Sequence, residues 1–409
     1  MSSLIPYNRR RDVITTAPFE SDMFCLQAVT TGNITITIPA TVDTVKVNRM
    51  MFTKNGITWD TLQNIDNIEV SKTIAIGYGQ KLFIKGTSTG YSVDGVLANS
   101  TRITLTCQAM AKGNIMSLLD ETDYANVTAV PAYGFANLFY QCGDLLSVPL
   151  LPALTVGIGG YQKMFFNDIS ITQAGGISAT QFENYACKGM FEACLNLATF
   201  SGSLAATRVG TEAFAGMFKN CSSLTTGPSS VGTTTATMNT SCCSEMFQST
   251  SLVIPPLLPS TDLRNKCYEY MFMGSTITTA PNLNANNVPV NAYQFMFQGC
   301  RNLTTTATME ATSLGAVACY YMYKDCTSLT TAVLNVSVLS SYCYAGMFSG
   351  CTHLNDITFM ATDISAQSCL DGWVANVAAS GTFRKRASMT SLPTGVNGIP
   401  NGWTVIDNV

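Results

Sequence analysis

A Met-Phe pair followed by a cysteine, four residues after the methionine, recurs along this chain at a nearly constant interval. Aligning the first residue of each pair gives Leu138, Met164, Met190, Met217, Met246, Met271, Met296, Met322, Met347 and Trp373, separated by 26, 26, 27, 29, 25, 25, 26, 25 and 26 residues. A repeat of that period restricts the fold to a stack. No single unit can bury its own apolar face, so each must do it against its neighbours.

The register extends beyond the anchor. The next residue is Phe139, Phe165, Phe191, Phe218, Phe247, Phe272, Phe297, Tyr323 or Phe348. Four positions after the anchor stand Cys142, Asp168, Cys194, Cys221, Thr250, Ser275, Cys300, Cys326 and Cys351, and seven after it Leu or Ile dominates. Offsets −3, 0 and +4 share one face of a helix, so the spacing predicts a short helix per unit, as in AYQFMFQGC. Thr-rich runs such as NLTTTA then suit a short strand, and Pro, Asn and Ser return the chain through a turn. The expected fold is an α/β solenoid of leucine-rich-repeat design, ten units of about 26 residues. Strands stack at about 4.8 Å and helices at about 8–10 Å, which predicts a curved rod with its strands on the concave side.

Residues 20–113 lack the repeat. Runs such as NITITIPA, IEVSKTIAI and QKLFIKGT, with a turn signal at Lys54-Asn55-Gly56, predict a small all-β sandwich that serves as an attachment domain. Residues 1–19 read as a basic extended arm, with Arg9, Arg10 and Arg11 as a candidate docking element. The solenoid is assigned to 114–383 and a C-terminal cap to 384–409, with Arg384-Lys385-Arg386 as a solvated loop.

Units such as YMFMGSTITTAPNL, FMFQGCRNLTTTA and YAGMFSGCTHLNDI resemble the BspA-type leucine-rich repeats of bacterial surface proteins. The likeness covers about residues 114–383. The tail SGTFRKRASMTSLPTGVNGIPNGWTV and the segment KGNIMSLLDETDY are similar to the flanks of such arrays in gut Bacteroidetes and their crAss-like bacteriophages. The resemblance implies adhesion or display, with no catalytic residues.

The rest of the sequence is consistent with a non-enzymatic chain that needs no metal or cofactor. There is one histidine, His353, and no CxxC pair. The fifteen cysteines are an odd number, and thirteen of them occupy offsets −4, −3 or +4. They read as small buried hydrophobes, too far apart in stacked helices for disulfides, with Cys242 and Cys243 on different sides of a helix. GIGG at 157–160 reads as a loop. Charged residues make up 11% and net charge is −3, which gives no reason to expect nucleic-acid binding. No run of 18 apolar residues predicts membrane insertion.

The N-terminus has no apolar stretch behind its arginines, so no secretory leader is expected. With a reduced, cysteine-rich core, this favours assembly in a host cytoplasm. The expectation is a bacteriophage virion structural protein (head fibre, capsid decoration or tail-associated), homo-oligomeric and partnered by capsid or fibre proteins, that touches host surface glycans or proteins. The alternative is a bacterial cell-surface adhesin. The candidate ligand face is the strand side, at Thr278, Thr279, Asn302, Thr304, Thr305, Thr306, Thr330, Thr331 and Asn355, where hydroxyls and amides can hydrogen-bond sugars.

Overall fold

The computed structural model describes residues 22–40, 48–64 and 68–407. Arg9, Arg10 and Arg11 lie outside them, as does TVKV at 44–47. The molecule is a repeat β-solenoid of about eleven turns. Each anchor marks one coil, and the predicted helices do not form. In the coil around Met296 the backbone N–H groups alternate in use. Those of Tyr293, Phe295, Phe297 and Gly299 donate to Ala318, Tyr320, Met322 and Lys324 of the next coil, at 2.8–3.0 Å. Those of Gln294, Met296, Gln298 and Cys300 turn back to the carbonyl three residues earlier.

The chain is thus a run of overlapping turns, stitched sideways every second residue. Its physical cause is the spacing conflict that predicted curvature. A helix spends every N–H on itself and keeps its neighbour about 8–10 Å away, whereas the stacked strands demand about 4.8 Å. The turn ladder gives both sides of the coil the same spacing, and the basis for a concave strand face disappears with the helices.

This ladder carries a positive φ at offsets −5, −1 and +3 of each coil. In the Met296 coil these are Asn291 (59°), Phe295 (55°) and Gly299 (71°). In the Met296 coil burial follows with a period of four: offsets −4 and −3 point in, −2 and −1 out, 0 and +1 in, +2 and +3 out, +4 in. The Met-Phe pair is the inward pair at the middle of the ladder.

Strands are short and parallel. One ladder runs through Ala129–Val130, Thr155–Val156, Gln181–Phe182, Arg208–Val209, Thr237–Met238 and Asp262–Leu263. Asn287–Val288 pairs with Ser313–Leu314 at the same offset. These strands occupy what the sequence suggested was only a returning turn. The Thr-rich positions form a second site. It is reduced to single bridges in several coils, such as Thr305 with Thr331, and fully developed in Thr331–Leu334, Asp356–Phe359, Thr382–Lys385 and Thr404–Ile406.

The supposed C-terminal cap therefore continues the stack. Arg384 pairs with Asp356, and Lys385 is buried, 2.7 Å from Asp407, so this basic cluster is no solvated loop; Arg386 alone is exposed.

Before the coils lie β1 (Cys25–Ala28), β2 (Gly32–Ile38), β3 (Arg49–Thr53), β4 (Asp60–Gln63), β5 (Val70–Ile76), β6 (Lys81–Thr87), β7 (Arg102–Leu105) and β8 (Ala109–Lys112), paired antiparallel in two sheets. Lys54-Asn55-Gly56 opens the β3–β4 connection, with Gly56 at φ 71°.

This segment is not set apart as an independent domain. Leu145–Ser147 of the first coil joins β8, and one hydrophobic cluster runs from Met23 to Trp403. Tyr91 N–H and Ile103 N–H donate to the carbonyls of Gly134 and Leu138. Tyr91 also stacks on Phe135 at 6.3 Å. Residues 91–103 thereby satisfy part of the open edge of the first coil.

Candidate functional site

The anchors' followers form an internal column. Phe139, Phe165, Phe191, Phe218, Phe247, Phe272, Phe297, Tyr323 and Phe348 stack at 5.3–5.8 Å, within 17° of parallel. Trp373 closes it at 5.9 Å and 50°.

The cysteines beside this column have a structural task. Cys194, Cys221, Cys300, Cys326 and Cys351 each donate a thiol hydrogen bond of 3.0 Å to the carbonyl of the column residue one coil earlier, Phe165, Phe191, Phe272, Phe297 and Tyr323. Those carbonyls already accept one N–H from their own turn, and the thiol takes the second lone pair. Burial pushes these thiols up, to about 12 for Cys221, Cys300 and Cys351, which keeps the donating proton in place.

All fifteen cysteines are free and buried. The expected separation does not hold, because the coils lie closer than packed helices. Cys242 and Cys267, in adjacent coils, have Sγ atoms 3.3 Å apart, and Cys243 Sγ is 3.8 Å from Cys242 Sγ. Asp168 substitutes for the thiol in its coil. It is fully buried, and burial holds its carboxyl well above the usual range.

The predicted ligand face is exposed but partly committed. Thr278, Thr279, Asn302, Thr304, Thr305, Thr330, Thr331 and Asn355 are exposed and Thr306 is half-buried. The hydroxyl of Thr304 donates to the Thr278 carbonyl at 3.4 Å, and that of Thr330 to the Thr304 carbonyl at 3.3 Å. The Thr306 hydroxyl accepts from Val333 N–H at 3.2 Å. These threonines help tie one coil to the next. His353 is likewise tied, its Nδ1 2.6 Å from the Thr327 carbonyl. GIGG is part of the turn ladder, with Gly159 at φ 58°.

The more differentiated surface is the outward side of the turn ladder, which sequence reading had assigned to helices. Past the first two coils, where Tyr140 stacks on Phe166 at 4.8 Å, it is charged in the N-terminal half: Lys188 pairs with Glu212 and Lys219 with Glu245, around a cavity of about 340 Å³ that Lys163 and Glu192 also line. Burial raises the Glu192 carboxyl above its ordinary value. Toward the C-terminal half it is aromatic. Tyr270 stacks on Phe295 at 4.7 Å and Phe295 on Tyr321 at 5.7 Å, with Tyr320 edge-on to both Phe295 and Tyr321. Beside these aromatic coils opens a cavity of about 530 Å³ over Gly274 and Gly299.

Among the described residues no cluster of three or more His, Cys, Asp or Glu is arranged to hold a metal ion, and no helix is long and apolar enough to cross a membrane. No family model, curated protein or solved structure matches the chain.

Proposed function

We propose that this chain is a non-catalytic structural and recognition protein of a bacteriophage virion, a head fibre, capsid decoration or tail-associated component. In this reading it belongs with the BspA-type leucine-rich-repeat proteins that its repeat units resemble. The β1–β8 region and the basic arm attach it to other virion proteins, as a homo-oligomer, and the solenoid is displayed to host surface glycans or proteins.

The observation that carries the reading is the division of labour within each coil. Backbone, column and thiols hold the stack, while the outward residues change from charged to aromatic between coils that share one backbone. That is the construction of a display scaffold, in which recognition is grafted onto a repeated core. The thiol ladder works only with reduced cysteines, which supports folding in a reducing cytoplasm before release, ahead of the alternative of an exported bacterial adhesin.

Mass spectrometry of purified virus particles tests the proposal. The chain is expected among the particle proteins at a fixed copy number, and removal of residues 1–19 is expected to reduce its incorporation. Absence from particles, with labelling of the protein on intact bacterial cells, would replace this reading with the adhesin.

A further inference from the structure

Every coil has a positive φ at offset +3, and the residues there are Gln141, Asn167, Ala193, Asn220, Ser249, Gly274, Gly299, Asp325, Gly350 and Asn376. Asn167 and Asn220, at φ 57° and 62°, show that the position accepts a side chain. The ladder therefore does not demand the glycines at 274 and 299. What they change is the surface. A Cβ built on Gly274 has only Ser249 Oγ within 4 Å, at 3.7 Å, and one built on Gly299 meets only Gly274 backbone, at 3.8 Å. Side chains there would project into open space.

Two successive coils thus lack a side chain at this one outward offset, and the gap is the cavity of about 530 Å³. Ser249 and Asp325 bound it along the stack. Gln298 lies on the chain before its floor, and Arg301 and Asn302 after it. Asp325 leans away, over Gly350, where an added Cβ would meet its Oδ1 at 2.2 Å. The carboxylate thus borders the trough without filling it.

The lining indicates the ligand. The volume is that of a small-molecule site, and beside Met273 and the two glycines it is edged by an amide pair, a guanidinium and a carboxylate. These are planar, forked groups, and forks match paired donors and acceptors held side by side, as on the adjacent hydroxyls of a sugar ring. One cation opposed by one carboxylate gives no net preference for a simple anion. Arg301 is exposed and forms no ion pair among the described residues.

We propose that the trough over Gly274 and Gly299 binds a pyranose unit of a saccharide. Gln298 and Asn302 hydrogen-bond its hydroxyls, Asp325 borders it along the stack and Arg301 closes one side. This deepens the recognition half of the function proposed above and moves the site from the threonine face to the turn-ladder face.

The test is a printed array of mono- to hexasaccharides probed with the full chain, followed by titration calorimetry on the saccharide retained. Gly299→Asn installs a residue the ladder already accepts at this offset, so the melting temperature is expected to hold while affinity falls about tenfold or more. Arg301→Ala and Asn302→Ala, both exposed, are expected to weaken binding without altering the fold, and they serve as the readout if Gly299→Asn destabilises the chain. Retention of no saccharide by the wild-type chain, or equal affinity in all the variants, overturns the proposal. Particle association, measured separately by immunoblot of purified virions, is expected to survive every one of these substitutions. Loss of the saccharide site and loss of the virion role are thereby distinguishable.

Discussion

The charged and aromatic halves of the turn-ladder face make an instructive pair. In the coils from Lys163 to Glu245, outward residues of successive coils pair opposite charges, as in Lys188–Glu212 and Lys219–Glu245. In the coils from Tyr270 to Tyr321 they stack like on like. The backbone beneath is the same: Lys163 N–H reaches the Lys188 carbonyl at 2.9 Å, and Tyr270 N–H reaches that of Gln294 at 3.0 Å. Inter-coil cohesion comes from the backbone and the column. An outward residue must only suit its counterpart in the next coil, and either opposite charges or parallel rings meet that condition. The face is free to vary where the core is not.

If that is correct, damage to the column should be equally severe under both halves. Phe191 lies under the charged half and Phe297 under the aromatic half, each fully buried between two stacked rings. Phe191→Ala and Phe297→Ala are each expected to cost about 3–5 kcal/mol in urea unfolding. A markedly smaller loss in one of them would mean that its outward residues share the work of holding the stack.

Much of this division was legible in the sequence. The Met-Phe period located ten coils of the roughly eleven-turn stack, and the inward offsets −3, 0 and +4 were identified correctly. What failed was the choice between a burial period of 3.6 and one of 4, which nine residues barely separate. The discriminating signal was present: seven of the ten residues at offset +3 are Gly, Asn or Asp, the types that tolerate positive φ and disfavour helix interiors. At the other positive-φ offsets stand residues such as Phe295 and Tyr321 at −1 and Val317 at −5, which hide the pattern because tertiary stacking overrides their preference. The trough was partly visible through Asn302. It could not be located while Gly274 and Gly299 seemed to lie within helices, because its walls come from four successive coils.

Asp168 offers the next largest effect, inside the charged half. Its carboxyl replaces a thiol, and Oδ2 has no hydrogen-bond partner. An unfolded Asp titrates near about 3.9, and the folded one well above its ordinary value because burial disfavours the anion. Between those two pH values the folded chain holds a proton that the unfolded chain has released. Stability therefore falls as pH rises through that window, by about 1.4 kcal/mol per pH unit. Asp168→Cys restores a thiol donor toward the Phe139 carbonyl. It is expected to stabilise by about 1–3 kcal/mol at neutral pH and to abolish the decline, as read from melting temperatures across pH.

A smaller gain is expected at Val317, a β-branched residue held at φ 61° in the aromatic half. Asn291 occupies the same offset one coil earlier at φ 59°. Val317→Asn is expected to stabilise by about 1 kcal/mol and Asn291→Val to destabilise by a similar amount in thermal unfolding. Opposite signs at one offset would confirm that the ladder imposes its backbone on whatever residue stands there.

The smallest effects test the comparison most directly. Double-mutant cycles to alanine at Lys219 and Glu245, and at Phe295 and Tyr321, isolate one outward pair in each half. The ion pair is partly exposed, with side chains 27% and 38% accessible, and is expected to couple by about 0.2–1 kcal/mol. The ring pair is expected to couple by about 0.5–1.5 kcal/mol. Raising the salt concentration to about 1 M shortens the screening length to about 3 Å and should weaken the first coupling while leaving the second unchanged. Equal salt sensitivity in the two cycles would mean that both report the shared backbone ladder, and that the outward residues contribute no cohesion of their own.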